Sequence, residues 1–259
     1  MKLRYQNQSG FSLTELLIVM AMGVILMGAT IQVFIKQEKT MRDQMTKTNL
    51  RALGRIAMDE IAMEIRRAGM GFPNGEGVTA IAAGSISLRG NTEVVLTTIR
   101  NDVTGGVNQI TVWDNDDFSG SDLIVIFDPS AGGQRPAETS TVNSTPSNKI
   151  NMGSATTVAY DAEDGVLISQ YHTTDFAYDG ANNRVTKSID SAADVPVVGK
   201  VSSLTFTYYD NAGAVLTIAA ASIPSIRKIG IQLVMIDITG NSTVSVTFNT
   251  EVNLRNMGT

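Results

Sequence analysis

Residues 16–35 form an unbroken run without a charged side chain, bounded by Glu15 on one side and Lys36 on the other. Twenty apolar residues in a helix span about 30 Å, the thickness of the hydrocarbon layer of a bilayer. Nothing else in the chain limits its possible folds as much, because such a segment has to be buried in lipid or among other helices. Glu15 sharpens the problem. A carboxylate at the border of a membrane-length run is costly and marks a functional position by default.

The run does not end at Lys36. Residues 36–69 hold no proline, and Met41, Met45, Leu53, Ile56, Ala57, Ile61 and Ile65 recur at steps suited to one helical face. Charged residues such as Lys39, Arg42, Lys47, Arg51, Arg55 and Asp59 fill much of the remainder. Gly69, Gly71 and Pro73 supply a stop. One helix is therefore expected over residues 11–69, with a membrane-spanning part at 16–35 and an amphipathic part at 36–69. At about 1.5 Å per residue it measures roughly 90 Å, too long for the core of one small domain.

Beyond residue 70 the patterning changes. EVVLTTI (93–99), QITVW (109–113), DLIVIF (122–127), SLTFTYYD (203–210), KIGIQLVMID (228–237) and STVSVTFNTEVNL (242–254) read as strands. DNAG at 210–213 reads as a hairpin turn. Residues 128–159 are polar and rich in Ser, Thr and Pro, and are expected to be loop. The fold class implied is α+β, with an antiparallel sheet of a head domain (70–259) laid on the amphipathic half of the helix.

Charge and composition exclude several functions. Residues 1–69 carry ten Lys/Arg against six Asp/Glu, and residues 70–259 carry ten against nineteen. The acidic head is a poor electrostatic partner for nucleic acid. The absence of cysteine rules out disulfides, thiolate zinc sites and covalent c-type haem. No P-loop or dinucleotide fingerprint is present, no cofactor is called for, and no catalytic constellation stands out, so a non-enzymatic role is expected. His172 is the only histidine and reads as an ordinary strand or loop residue. Asp114, Asp116, Asp117 and Asp122 surround Gly120 in a loop whose oxygens suit Ca²⁺. Phe118 interrupts the EF-hand pattern, and a solvated turn is the favoured reading. The acidic turn at Asp161, Glu163 and Asp164 is read the same way. Trp113, Tyr208 and Tyr209 are expected to pack in the head, and Arg66 and Arg67 to complement the negative end of the helix dipole.

A secretory signal would place small residues after a shorter apolar core. Here Gly10 precedes a longer one. The stretch SGFSLTELLIV, with Lys2 and Arg4 before it, resembles the N-terminus of type IV pilins and pseudopilins. The resemblance implies a leader of residues 1–10, cleavage by a prepilin peptidase between Gly10 and Phe11, and N-methylation of the new Phe11 amine. It also implies that Glu15, at the fifth mature position, docks a subunit into a filament by meeting the Phe11 amine of its neighbour. RRAGMGF resembles the close of the helix in PilW-type minor pilins, and VSSLTFTYYDNAG and TEVNLRN resemble strands and the closing Arg-Asn of that group and of the GspJ-like minor pseudopilins. The implied function is that of a minor pilin that initiates, primes or caps a type IV pilus. A GspJ-like minor pseudopilin of a type II secretion system, and a tip adhesin or DNA-uptake subunit, are the alternatives. The implied partners are other major and minor pilins, an inner-membrane assembly platform and the membrane before assembly. The implied location is the inner membrane with a periplasmic head, then the extracellular pilus.

Overall fold

The computed structural model describes residues 12–72, 76–130, 137–239 and 242–254. One helix, α1 (Leu13–Arg67), precedes a head built from strands. Its 55 residues give a rod of about 80 Å. It ends where the sequence turns to glycine. The Ala68 N–H donates to the carbonyls of Glu64 and Ile65. Gly69 and Gly71 then adopt positive φ, each at 78°, a backbone region that glycine enters without steric cost.

The described strands are β1 (Val78–Ile81), β2 (Ser85–Gly90), β3 (Leu96–Thr98), β4 (Gln109–Thr111), β5 (Leu123–Phe127), β6 (Glu138–Ser144), β7 (Lys149–Met152), β8 (Leu167–Asp179), β9 (Arg184–Ile189), β10 (Val195–Gly199), β11 (Val201–Tyr209), β12 (Lys228–Thr239) and β13 (Ser242–Asn253). They form two antiparallel sheets. The larger runs β1-β2-β8-β5-β6-β7-β4, with β3 also on β8 and the β9–β10 hairpin extending from it. β8 is the hub, pairing with β2, β3, β5 and β9 along its length. The smaller sheet is β11-β12-β13. The α+β expectation matches this architecture.

The helix, the smaller sheet and strands β1, β2, β8, β9 and β10 of the larger sheet share one core. Leu50, Ala57, Ile61 and Ile65 interlock with Leu204, Phe206, Ile229, Leu233, Met235, Val244 and Val252. Helix and sheet meet tightly at Gly54, where a β-carbon would lie 2.2 Å from Cε2 of Phe248 on β13. A second core, remote from the helix, gathers Ile99, Ile110, Val112, Ile124, Ile126, Val142, Ile150 and Ile168.

The buried face of the helix departs from the expected one. Ala57, Ile61 and Ile65 are buried, but so are Leu50, Gly54, Met58 and Ala62, while Met41, Met45, Leu53 and Ile56 are exposed. At about 100° per residue, Met41, Met45, Ile56 and the exposed Met63 lie opposite Leu50, Ala57 and Ile61. The helix thus carries two apolar stripes on opposite faces, and the head covers one.

The polar stretch 128–159, expected to be loop, contains β6 and β7. Their hydroxyl and amide side chains face solvent, and Val142, Ile150 and Met152 alone anchor them in the second core. Sequence signals also missed β1, β2, β8, β9 and β10. EVVLTTI shortens to β3 because Val94 turns to φ 62°, which a β-branched residue enters only under strain. The 210–213 turn forms, with Gly213 at φ 82° and the Ala214 N–H donating to Asp210 Oδ1 at 2.8 Å. The returning arm makes a single bridge, Tyr209 to Val215.

Candidate functional site: the free half of the helix

The first turn of α1 is built by Ser12, Thr14 and Glu15. Ser12 sits at the N-cap with extended backbone, and its carbonyl accepts from the N–H groups of Glu15 at 3.0 Å and Leu16 at 3.2 Å. The sequence Ser12-Leu13-Thr14-Glu15 has capping-box spacing. The Ser12 hydroxyl instead pairs with the Thr14 hydroxyl at 2.7 Å, and no side-chain cap forms. Glu15 lies in the first turn, where the helix dipole favours an anion. Among the described residues its carboxylate has no ion-pair or hydrogen-bond partner. Gly10 and Phe11 lie outside the described residues.

Every residue from 12 to 42 is exposed. That includes Leu16, Leu17, Ile18, Val24, Ile25, Leu26 and Phe34, each more than half accessible. The helix is long and apolar enough to cross a membrane, and none of its most apolar window is buried in the protein. Burying side chains of this size contributes about 1.5–3 kcal/mol each, so the segment has a strong drive toward lipid or other helices. A β-carbon placed on Gly23 or Gly28 would meet nothing within 4 Å, which leaves two flat spots where another helix can approach.

The head's candidate sites resolve differently. Asp114 Oδ1 accepts from the Asp116 N–H at 3.0 Å, and Asp122 Oδ2 from the Ser119 N–H at 2.7 Å. Both are turn-forming bonds. Asn115 and Phe118, which are buried, pin the loop, with Asn115 Nδ2 donating to the carbonyls of Pro146 and Lys149. Among the described residues no group of three or more His, Asp or Glu is placed to hold a metal ion. Asp161 caps a short 3-10 turn at Ala162–Asp164 through the Glu163 N–H.

His172 on β8 is placed by a partner that spacing did not reveal. Its Nδ1 lies 2.6 Å from Asp190 Oδ2, and Asp190 Oδ1 accepts from the Thr173 N–H at 2.7 Å. The adjoining void between His172, Glu64 and Arg67 holds about 10 Å³, room for one water and no substrate. Trp113, expected to pack, is 64% exposed with the Arg100 guanidinium 5.1 Å from its ring centre. Tyr208 is buried, and its hydroxyl donates to the Ala82 carbonyl at 2.9 Å. Burial pushes the Tyr208 phenol pKa far up. Tyr209 is half-buried under the Lys228 ammonium, 4.6 Å from its ring centre.

The helix–head joint includes an ion cluster with no sequence signal. Lys187 Nζ on β9 lies 2.9 Å from Glu64 and 3.3 Å from Glu60, both on α1. These residues are more than 120 positions apart, and only the i, i+4 spacing of the two glutamates hints that they share a face.

A model of the prokaryotic N-terminal methylation motif matches residues 5–31, a stretch that contains Gly10, Phe11 and Glu15. The chain thus carries a prepilin-type N-terminal motif ahead of an apolar helix and a β-rich head, a combination that supports a type IV pilin-like protein. The motif implies processing by prepilin peptidase and a pilin or pseudopilin assembly context, and it accords with membrane anchoring. No curated protein matches the chain. Among solved structures, the gp54 tailspike of Acinetobacter baumannii bacteriophage AP22 overlaps 33% of this chain and 15% of its own, at 17% identity and TM-score 0.28. The gp61 tailspike of Pseudomonas phage phi297 overlaps 30% of this chain and 14% of its own, at 17% identity and TM-score 0.27. Overlaps this partial assign neither fold nor function.

Proposed function

We propose that the chain is a minor pilin of the PilW-like kind, a non-catalytic subunit that helps to initiate, prime or cap a type IV pilus. The observation that carries this reading is the free half of α1, exposed and without charge over residues 16–35 and headed by a carboxylate without a described partner. After cleavage between Gly10 and Phe11, the methylated Phe11 amine is the nearest cation for Glu15, its own or that of a neighbouring subunit. In hydrocarbon that pair is strongly attractive, and leaving Glu15 unpaired is costly. It fixes the axial register of helices whose other contacts are apolar and permissive, as isolated polar groups do in coiled coils. The second apolar stripe, Met41, Met45, Ile56 and Met63, lengthens the surface available to neighbouring helices past the membrane segment. The head then stands in the periplasm before assembly and outside the cell afterwards.

Glu15→Ala tests the reading. Leader cleavage, followed by the size shift on immunoblots, stays intact, and recovery of the protein in sheared filaments falls at least tenfold. Normal recovery of the variant would overturn the docking role of Glu15.

A further inference from the structure

The edges of the two sheets are treated unequally. In the larger sheet β1 has four residues and a register shift, β4 has three residues, and β10 has five with Pro196 and a register shift. Short strands, bulges and proline are the usual protections of an exposed edge. β13 has none of them. It pairs with β12 through twelve consecutive residues without a shift, contains no proline, and carries one charge, Glu251. Among the described residues, no backbone group of β13 bonds to anything on the side away from β12. On the helix-facing side of that edge, Val246 and Phe248 are only partly buried.

We propose that β13 is the seat of a strand from the head of a different pilin-like subunit, which extends the β11-β12-β13 sheet to four strands. This inference rests on the reading of the chain as an assembly subunit. A second copy of this chain does not fit. A two-fold axis normal to the sheet pairs β13 with β13 antiparallel and reverses one helix, so the free helix halves leave in opposite directions. A two-fold axis along the strands sets the helices on opposite faces of the joined sheet, about 20 Å apart at ordinary layer spacings with the sheet between them. Lateral stacking of β13 on β11 of the next copy is blocked, because β11 is already engaged. The Phe206 N–H donates to the Ala83 carbonyl and the Val201 N–H to the Asn183 carbonyl. The occupant is a different chain whose helix runs alongside α1. Its strand alternates apolar residues, which complete the cover of Val246 and Phe248, with hydroxyl or amide residues beside Ser245, Thr247 and Asn249. Main-chain hydrogen bonds supply the affinity and the alternating side chains the selectivity.

The test uses the full chain in cells that assemble it, with the photo-cross-linking residue p-benzoylphenylalanine placed at position 245 or 249, and at Thr205 as control. Thr205 lies on the same sheet face, two strands from the edge. The expected result is an adduct with another prepilin-motif protein from 245 and 249, at least tenfold stronger than from 205. Combining Ser245→Lys with Thr247→Lys is expected to lower the adduct from 249 at least tenfold while the Tm of the purified protein is kept. Adducts with a second copy of this chain, equal labelling from 205, or no adduct from chains recovered in filaments would each overturn the proposal. A wild-type chain that enters no filament or pilin complex at all sinks the parent reading, and that recovery is measured separately in the same cells.

Discussion

Gly54 shows how one residue sets the distance between helix and sheet. With Phe248 Cε2 2.2 Å and Met235 Sδ 2.8 Å from the position of a β-carbon, Gly54→Ala makes the Phe248 ring and the Met235 thioether shift or the helix lift from β13. Overpacking of this kind costs about 1–3 kcal/mol, only partly offset by about 1 kcal/mol of gained helix propensity. Thermal unfolding of the purified protein should therefore show a lower Tm, although alanine is the better helix former. Lys187 offers a second test. Burial pulls its pKa down, but hydrogen bonds and Coulomb attraction from Glu64 and Glu60 outweigh that, and the net shift is upward. A pKa raised in the folded state stabilises fully below the unfolded value, about 10.4, and the contribution disappears as pH climbs through the folded value. Lys187→Met should accordingly lower stability at neutral pH by about 1 kcal/mol, since the pair is partly solvent-screened. The variant should also lose less stability than the native protein above the ordinary lysine range, as read by urea unfolding at several pH values.

At the scale of elements, legibility followed how each segment meets water. The helix was readable because its apolar run, its lack of proline and its closing glycines all agree. β5, β11, β12 and β13 were readable because alternation or dense β-branching marks them. β6 was not, since ETSTVNS buries one residue and reads as a loop by composition. β8 was missed although it organises the larger sheet, because His172, Thr173, Thr174 and Asp175 dilute its pattern between Tyr171 and Phe176. The head-facing stripe of α1 was half wrong for a related reason. Two apolar stripes on one helix cannot be ranked from sequence, and the covered one includes glycine and alanine, which carry little apolar signal. In the candidate site, motif spacing pointed to Gly10, Phe11 and Glu15, which fall within the matched methylation motif, whereas the His172–Asp190 and Lys187–Glu64 pairs depend on strand pairings that no local pattern reveals. Tyr208→Phe gives an element-level check of how β11 is fastened. Losing the hydroxyl bond to the Ala82 carbonyl should cost about 1–2 kcal/mol and speed amide exchange in β11 and in the turn joining β1 to β2.

For the whole molecule, the helix belongs to two environments at once. Residues 12–42 are all exposed, while buried residues between Leu50 and Ile65 supply one wall of the main core. A chain beginning at residue 37 should keep the Tm of the full-length protein in detergent and be soluble without it. A chain beginning at residue 70 should lose cooperative unfolding, because the main core loses Leu50, Ala57, Met58, Ile61, Ala62 and Ile65 of α1 together with Ala68. Calorimetry on the two truncations separates these outcomes. The same continuity has a mechanical consequence. The head is not tethered to the rod by a linker that could swivel or stretch; the rod is part of the head's interior. Tension applied along α1 has no slack to take up and arrives directly at Gly54, Phe248 and the Lys187 cluster. A subunit of this design holds its head rigidly until the load unfolds it.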